Sequence, residues 1–108
     1  RIGMVTTPNC INTPVILNVK SKCSGLNVFY IVSFDNGTTW WNYNNGWVAP
    51  DYTQDVYGMF KSTLEAITQE QWAQKLSGQI MIRAVLIDSI SALTDIEIFT
   101  SVEVRENA

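Results

Sequence analysis

Ser33-Phe34-Asp35-Asn36-Gly37-Thr38-Thr39-Trp40 is the stretch that decides the fold of this 108-residue chain. Asp35 is short enough to accept hydrogen bonds from main-chain amides of its own turn, and Gly37 can take the left-handed backbone that a Cβ resists. Ser33 and Thr39 are placed to bond across the turn. Trp40 brings a large ring over the turn or into the adjoining core, where it would bury roughly 150 to 250 Å². A closed hairpin follows from these residue types, and with it strands on either side.

Upstream, Asn27 to Phe34 is almost wholly apolar on both alternating faces, as suits a central strand covered on two sides. Downstream, Trp40 to Tyr43 returns beside it, Asn44-Asn45-Gly46 makes a second tight turn, and Trp47-Val48 forms a short third strand. Pro50 to Gly58 has no usable period and reads as a loop. Lys61 to Leu76 is the helical stretch, with capping-box spacing at Ser62/Glu65 and again at Thr68/Gln71, so two short helices or one broken near Thr68 are expected. Leu64, Ile67, Trp72, Ala73 and Leu76 form its apolar side, and Gly78 stops it. Gln79 to Asp88 alternates Ile80, Ile82, Ala84 and Leu86 against Met81, Arg83, Val85 and Ile87, a mostly buried strand. Asp95 to Arg105 alternates more cleanly and faces water on one side. Thr13 to Lys20 reads as another strand, with Val15, Leu17 and Val19 on one face, and Ser24-Gly25 breaks it. The expected fold class is α+β: mainly an antiparallel β-sandwich, with one short helical segment at about residues 62–76 packed over an edge or one end.

Length and composition give one module, residues 1–108, with 46% hydrophobic and 16% charged residues. The chain opens at Arg1, so a processed product or a piece of a longer polypeptide is expected. Residues 1–50 carry only Arg1, Lys20, Lys22 and Asp35, whereas residues 51–108 carry nine carboxylates against four basic groups. A net charge of -3 argues against nucleic acid, which rewards a basic stripe. The longest uncharged run, Ile2 to Val19, is interrupted by Pro8, Asn9, Asn12 and Pro14, so no membrane insertion is expected. Any export signal would lie outside this sequence. Cys10 and Cys23 are the two cysteines, and the sequence leaves open whether they are bridged or free.

The chain has no histidine, which removes the commonest general base and zinc ligand. The carboxylate pairs Glu65/Glu70 and Asp88/Asp95 fall where charges ordinarily face water. Asp51 and Asp55 with Asn44 and Asn45 lack the spacing of a calcium loop. No enzyme, catalytic residue, metal or cofactor is expected. Asn36-Gly37-Thr38 is a glycosylation sequon in the turn itself. Aromatics concentrate in Trp40, Trp41, Tyr43, Trp47, Tyr52 and Tyr57. Because successive strand residues face opposite ways, Trp40 and Trp41 cannot enter one core. Trp41, Tyr43, Trp47 and Tyr52 are therefore the candidate binding residues, since solvent-facing rings among Asn42, Asn44 and Asn45 can stack on sugars and bond their hydroxyls.

Written as S-x-D-x-G-x-T-W, the run Ser33 to Trp40 resembles the Asp box, the hairpin motif of sialidase-type propeller blades and of secreted and surface β-proteins. Its structural positions are Ser33, Asp35, Gly37, Thr39 and Trp40. A propeller needs several blades of 40 or more residues, so this single box implies a hairpin staple rather than a sialidase. A fragment of a sialidase-like glycoside hydrolase remains as a distant alternative. The wider stretch Phe29 to Ile98, with Tyr30–Trp40, Thr68–Trp72, Ile80–Ile87 and Leu93–Ile98, resembles accessory modules of bacteriophage tail or baseplate proteins and of Gram-positive surface proteins. That resemblance implies an extracellular, non-enzymatic structural or adhesion module of a virion appendage or cell-surface protein, with neighbouring domains or subunits as partners. A carbohydrate-binding domain that uses the aromatic hairpin to hold cell-surface glycan is the alternative.

Overall fold

A computed structural model of the chain describes residues 3–24, 27–54, 56–87 and 92–100. In chain order the elements are β1 (Gly3–Thr6), β2 (Cys10–Thr13), β3 (Asn18–Ser24), β4 (Val28–Ser33), β5 (Asn42–Tyr43), β6 (Trp47–Val48), α1 (Lys61–Ala66), α2 (Gln69–Ala73), β7 (Gly78–Leu86) and β8 (Ala92–Phe99). The fold is α+β and mainly antiparallel β.

β7 is the axis of the sheet. It pairs antiparallel with β4 along one side, from Val28↔Leu86 to Ser33↔Met81, and with β1 and β2 along the other, from Gly3↔Leu86 to Thr13↔Gly78. The alternation read in 79–88 is realised: Ile80, Ile82 and Ala84 are fully buried on one face with Val28, Tyr30, Val32 and Phe34. On the other face Val85 and Ile31 pack with Tyr57. The apolar run 27–34 is thus buried because both sides of the sheet are covered, one by a layer of helix and ribbon, the other by the 50–58 loop and Trp40. β4 is continued on its far side by bridges Tyr30↔Met59 and Val32↔Trp41.

The second layer is shared by the ribbon β3–β8 and the two helices, and α1 packs on β3 and β4. The ribbon turns Val19 and Ser21 inward, with Ile96 and Ile98 half-buried beside them. Its register sets Lys20 opposite Glu97 and Lys22 opposite Asp95 on the outer face, which favours this pairing electrostatically. The Ser21 and Tyr30 hydroxyls are hydrogen-bonded at 2.8 Å inside the core. Burial, which disfavours the phenolate, pushes the Tyr30 pKa well up, against the opposing pull of Ser21.

Several expectations are corrected here. The strand read over 13–20 is interrupted: 14–17 is irregular, Thr13 ends β2, β3 starts at Asn18, and Ile16, which alternation sets on one face with Asn18 and Lys20, is 1% exposed. Pro14 removes a donor from the ladder, so the chain bends and delivers Ile16 to the core. The helical stretch does divide into two short helices, with the break at Ile67 and Thr68 capping α2 through the reciprocal box read from Gln71. The Ser62/Glu65 box does not form, because the N-cap of α1 is Phe60 and Ser62 already lies within the helix. Glu65 instead accepts from the Ser21 amide at 2.9 Å and lies 3.9 Å from Lys61. Ala73 is exposed, and Gly78, with φ +93, opens β7 where a helix stop was expected. Cys10 and Cys23 are free thiols. The Ser24-Gly25 break and the continuation of β8 through 101–105 fall wholly or partly outside the described residues, as do Asp55 and Asp88. Among the described residues no helix is long and apolar enough to cross a membrane.

Candidate functional site

The hairpin at 33–40 is closed by Val32 and Trp41, whose amides and carbonyls exchange bonds of 2.7 and 3.0 Å. Inside it, Asp35 Oδ1 accepts from the Thr39 amide and from the Ser33 hydroxyl, both at 2.8 Å. The Ser33 oxygen in turn accepts from the Gly37 amide at 2.8 Å. Ser33 and Thr39 therefore meet through Asp35, where direct bonding across the turn was expected. Gly37 sits at φ +87, and a Cβ there would reach 3.5 Å from Met81 Sδ and 3.7 Å from the Trp40 ring. Those are ordinary contact distances, so it is the left-handed backbone rather than lack of space that calls for glycine here.

The Thr39 amide, and after it the Ser33 hydroxyl, hold the Asp35 carboxyl below the ordinary aspartate range. A carboxyl whose folded pKa is depressed adds stability above its unfolded pKa of about 3.9, and that stability is lost as pH falls through the lower folded value. The thermal midpoint of the parent chain is accordingly expected to drop on acidification below about pH 4 more steeply than that of Asp35→Asn. Asp51, held down by the Thr53 hydroxyl and amide, gives both proteins a common residual slope. Parallel melting curves from neutral to acid pH make the comparison, and identical slopes would remove Asp35 from its assigned role.

Trp40 and Trp41 do face opposite sides of the sheet. Trp40 packs on the Ile31–Tyr57–Val85 cluster with the Arg83 guanidinium 4.2 Å over its ring. Trp41 packs on the main core with Lys75 Nζ at 3.9 Å. Trp47 is pinned: its indole NH donates to the Gln71 carbonyl at 2.8 Å, and its ring meets Phe34 at 5.3 Å and Trp72 at 5.3 Å. Tyr43 stands edge-on to Trp47, centroids 5.0 Å apart and planes at 81°. Tyr52, 57% exposed, lies against Tyr57 on the loop instead. Of the four candidate binding residues, the fold brings Tyr43 and Trp47 together and leaves Tyr52 apart.

Two open clefts flank Tyr43. One, of about 330 Å³, is lined by Tyr43, Ser62, Thr63, Ala66, Ile67 and Gln71. The other, of about 300 Å³, is lined by Asn42, Tyr43, Asn44, Gly58, Met59, Phe60 and Thr63. Trp41, Trp47 and Tyr52 line neither. Ser62, Thr63 and Gln71 escaped sequence reasoning because their place depends on how the β5–β6 hairpin packs against the helices. The available signal was the polar flank of the helix opposite Leu64 and Ile67. Among the described residues no group of three or more acidic or cysteine side chains is gathered to hold a metal.

Compared with known proteins, the chain matches no family model, and no curated protein or solved structure is significantly similar to it.

Proposed function

We propose that the chain is a non-enzymatic structural or adhesion module of a larger extracellular assembly, on a virion appendage or a cell surface, built around a single Asp-box hairpin. The observation that carries this reading is the open edge formed by β1 and β2. Both pair with β7 on one side, and among the described residues neither has a strand on the other. Met4, Val5 and Ile11 on this edge are 47%, 43% and 66% exposed, and no residue from Gly3 to Thr13 is charged. Charged side chains are one device by which proteins that work alone blunt such edges. An uncharged apolar edge suits a neighbouring domain or subunit that completes the sheet. The carboxylates support the non-enzymatic part: Asp35 and Asp51 hold their own turns, and Glu65 ties α1 to β3.

Hydroxyl-radical footprinting of intact particles or cells, compared with the isolated chain, tests the proposal. Met4 is expected to oxidise in the isolated chain and to be protected in the assembly, while Tyr52 is modified in both. Modification of the chain only after lysis, or equal oxidation of Met4 in both states, would overturn it.

A further inference from the structure

The two clefts beside Tyr43 share Tyr43 and Thr63, and every side chain that lines them is uncharged. We propose that they form one binding site for a neutral oligosaccharide, with a sugar unit in each cleft and the Tyr43 ring between them. The site is independent of the edge described above, since neither Met4, Val5 nor Ile11 lines it.

The chemistry of the walls selects the ligand. Asn42, Asn44, Ser62, Thr63 and Gln71 offer amides and hydroxyls, which match sugar hydroxyls as both donors and acceptors. Tyr43 and the exposed Phe60 offer flat apolar faces for the C–H side of a pyranose. Gln71 already spends its Oε1 on the Thr68 amide, which leaves its Nε2 donors for a ligand. Asn42 Oδ1 is shielded from solvent and has no hydrogen-bond partner in the protein, so the contribution of Asn42 to a ligand is left to the rest of its amide. Each volume lies at the low end of small-molecule sites, consistent with one ring per cleft.

Charge decides against anionic sugars. Lys75 and Arg83 lie over Trp41 and Trp40. Lys61 pairs with Glu65, which itself bonds β3 and so marks the flank of α1 that faces away from the clefts. Lys20 and Lys22 are exposed on β3, opposite Asp95 and Glu97. Among the described residues no lysine or arginine lines either cleft to meet a carboxylate or sulfate. Orientation is prepared in advance: the pinned Trp47 ring packs against Tyr43 in a T-shaped pair, so little freedom is lost on binding.

The test is an amide-shift titration of the whole chain with neutral di- and trisaccharides of glucose, galactose, mannose and N-acetylglucosamine, with sialylated and sulfated trisaccharides beside them. At least one neutral sugar is expected to shift the amides of 42–44 and 62–66. Tyr43→Ala should weaken that binding about tenfold or more, and Tyr52→Ala should leave it unchanged. Thr63→Lys, at a partly exposed helix position, blocks both clefts without touching the aromatic packing, and so decides the matter if Tyr43→Ala fails to fold. Binding of the anionic sugars alone, no neutral sugar bound, or undiminished binding by Tyr43→Ala or Thr63→Lys would overturn the proposal.

Discussion

Replacing Trp72 with alanine is expected to destabilise the protein by about 3 to 5 kcal/mol, the range for truncating a fully buried aromatic residue. Trp72 has no exposed surface, and its ring lies where α2 and the two hairpins meet. It lies on α2, faces Trp47 of the second hairpin at 5.3 Å and meets Phe34 at the mouth of the first hairpin at 6.2 Å. Its removal leaves a cavity that a rigid sheet on one side and a capped helix on the other cannot collapse. Trp72→Phe should behave differently. The indole NH of Trp72 is buried and has no hydrogen-bond partner, so phenylalanine removes an unsatisfied donor along with some volume. The net cost is expected to stay within about 1.5 kcal/mol. Urea unfolding at constant m-value separates the two outcomes. A loss below about 2 kcal/mol for Trp72→Ala would deny the ring its joining role, and a phenylalanine variant as weak as the alanine one would mean that the NH is satisfied.

Gly58→Ala is expected to cost about 3 kcal/mol or more, without creating any cavity. Gly58 has φ +105, and a Cβ would lie 2.7 Å from the Tyr30 carbonyl oxygen and 3.1 Å from the Tyr30 nitrogen. The obstacle is backbone, so no side chain can swing away. The next residue, Met59, exchanges two 2.8 Å bonds with Tyr30, and the added methyl would have to prise this bridge from the central strand. Gly46→Ala gives the comparison: φ is +141 there, but nothing lies within 4 Å of the new Cβ. It should show backbone strain alone, about 1 to 2 kcal/mol. Equal losses at the two sites in thermal or urea unfolding would show that the close approach to Tyr30 is not what matters.

These two positions also show what a sequence reveals. The hairpin at Ser33–Trp40, the turn at Asn44–Gly46, the Thr68–Gln71 cap and the alternation through Ile80–Ala84 are local chemistry, and each was legible. Gly58 could be read only as part of a loop, because its meaning lies in Tyr30, a strand away. β1 and β2 were invisible for a related reason. An edge strand exposed along much of its length has no need to alternate, and only pairing with β7 makes residues 3–13 strands. Ile16 escaped the period-two pattern because Pro14 ends regular backbone just before it. At the candidate site, Tyr43 stood out as an aromatic among asparagines. Trp47 looked equivalent, and only the placement of α2 converts its indole into a donor to Gln71 and hence into core.

The position of β7 has a consequence for the order in which the molecule can form. Thr7 bonds Ile82 across 75 residues and Thr6 bonds Arg83 across 77, and β4 also waits for the same strand. Everything N-terminal to the helices is therefore made before the strand that organises it exists. Chains whose contacts are this distant fold slowly, because loop closure precedes any gain from pairing. During synthesis the apolar run 28–34 can form only its bridges to Trp41 and Met59 until β7 has been added, so its main pairing comes late.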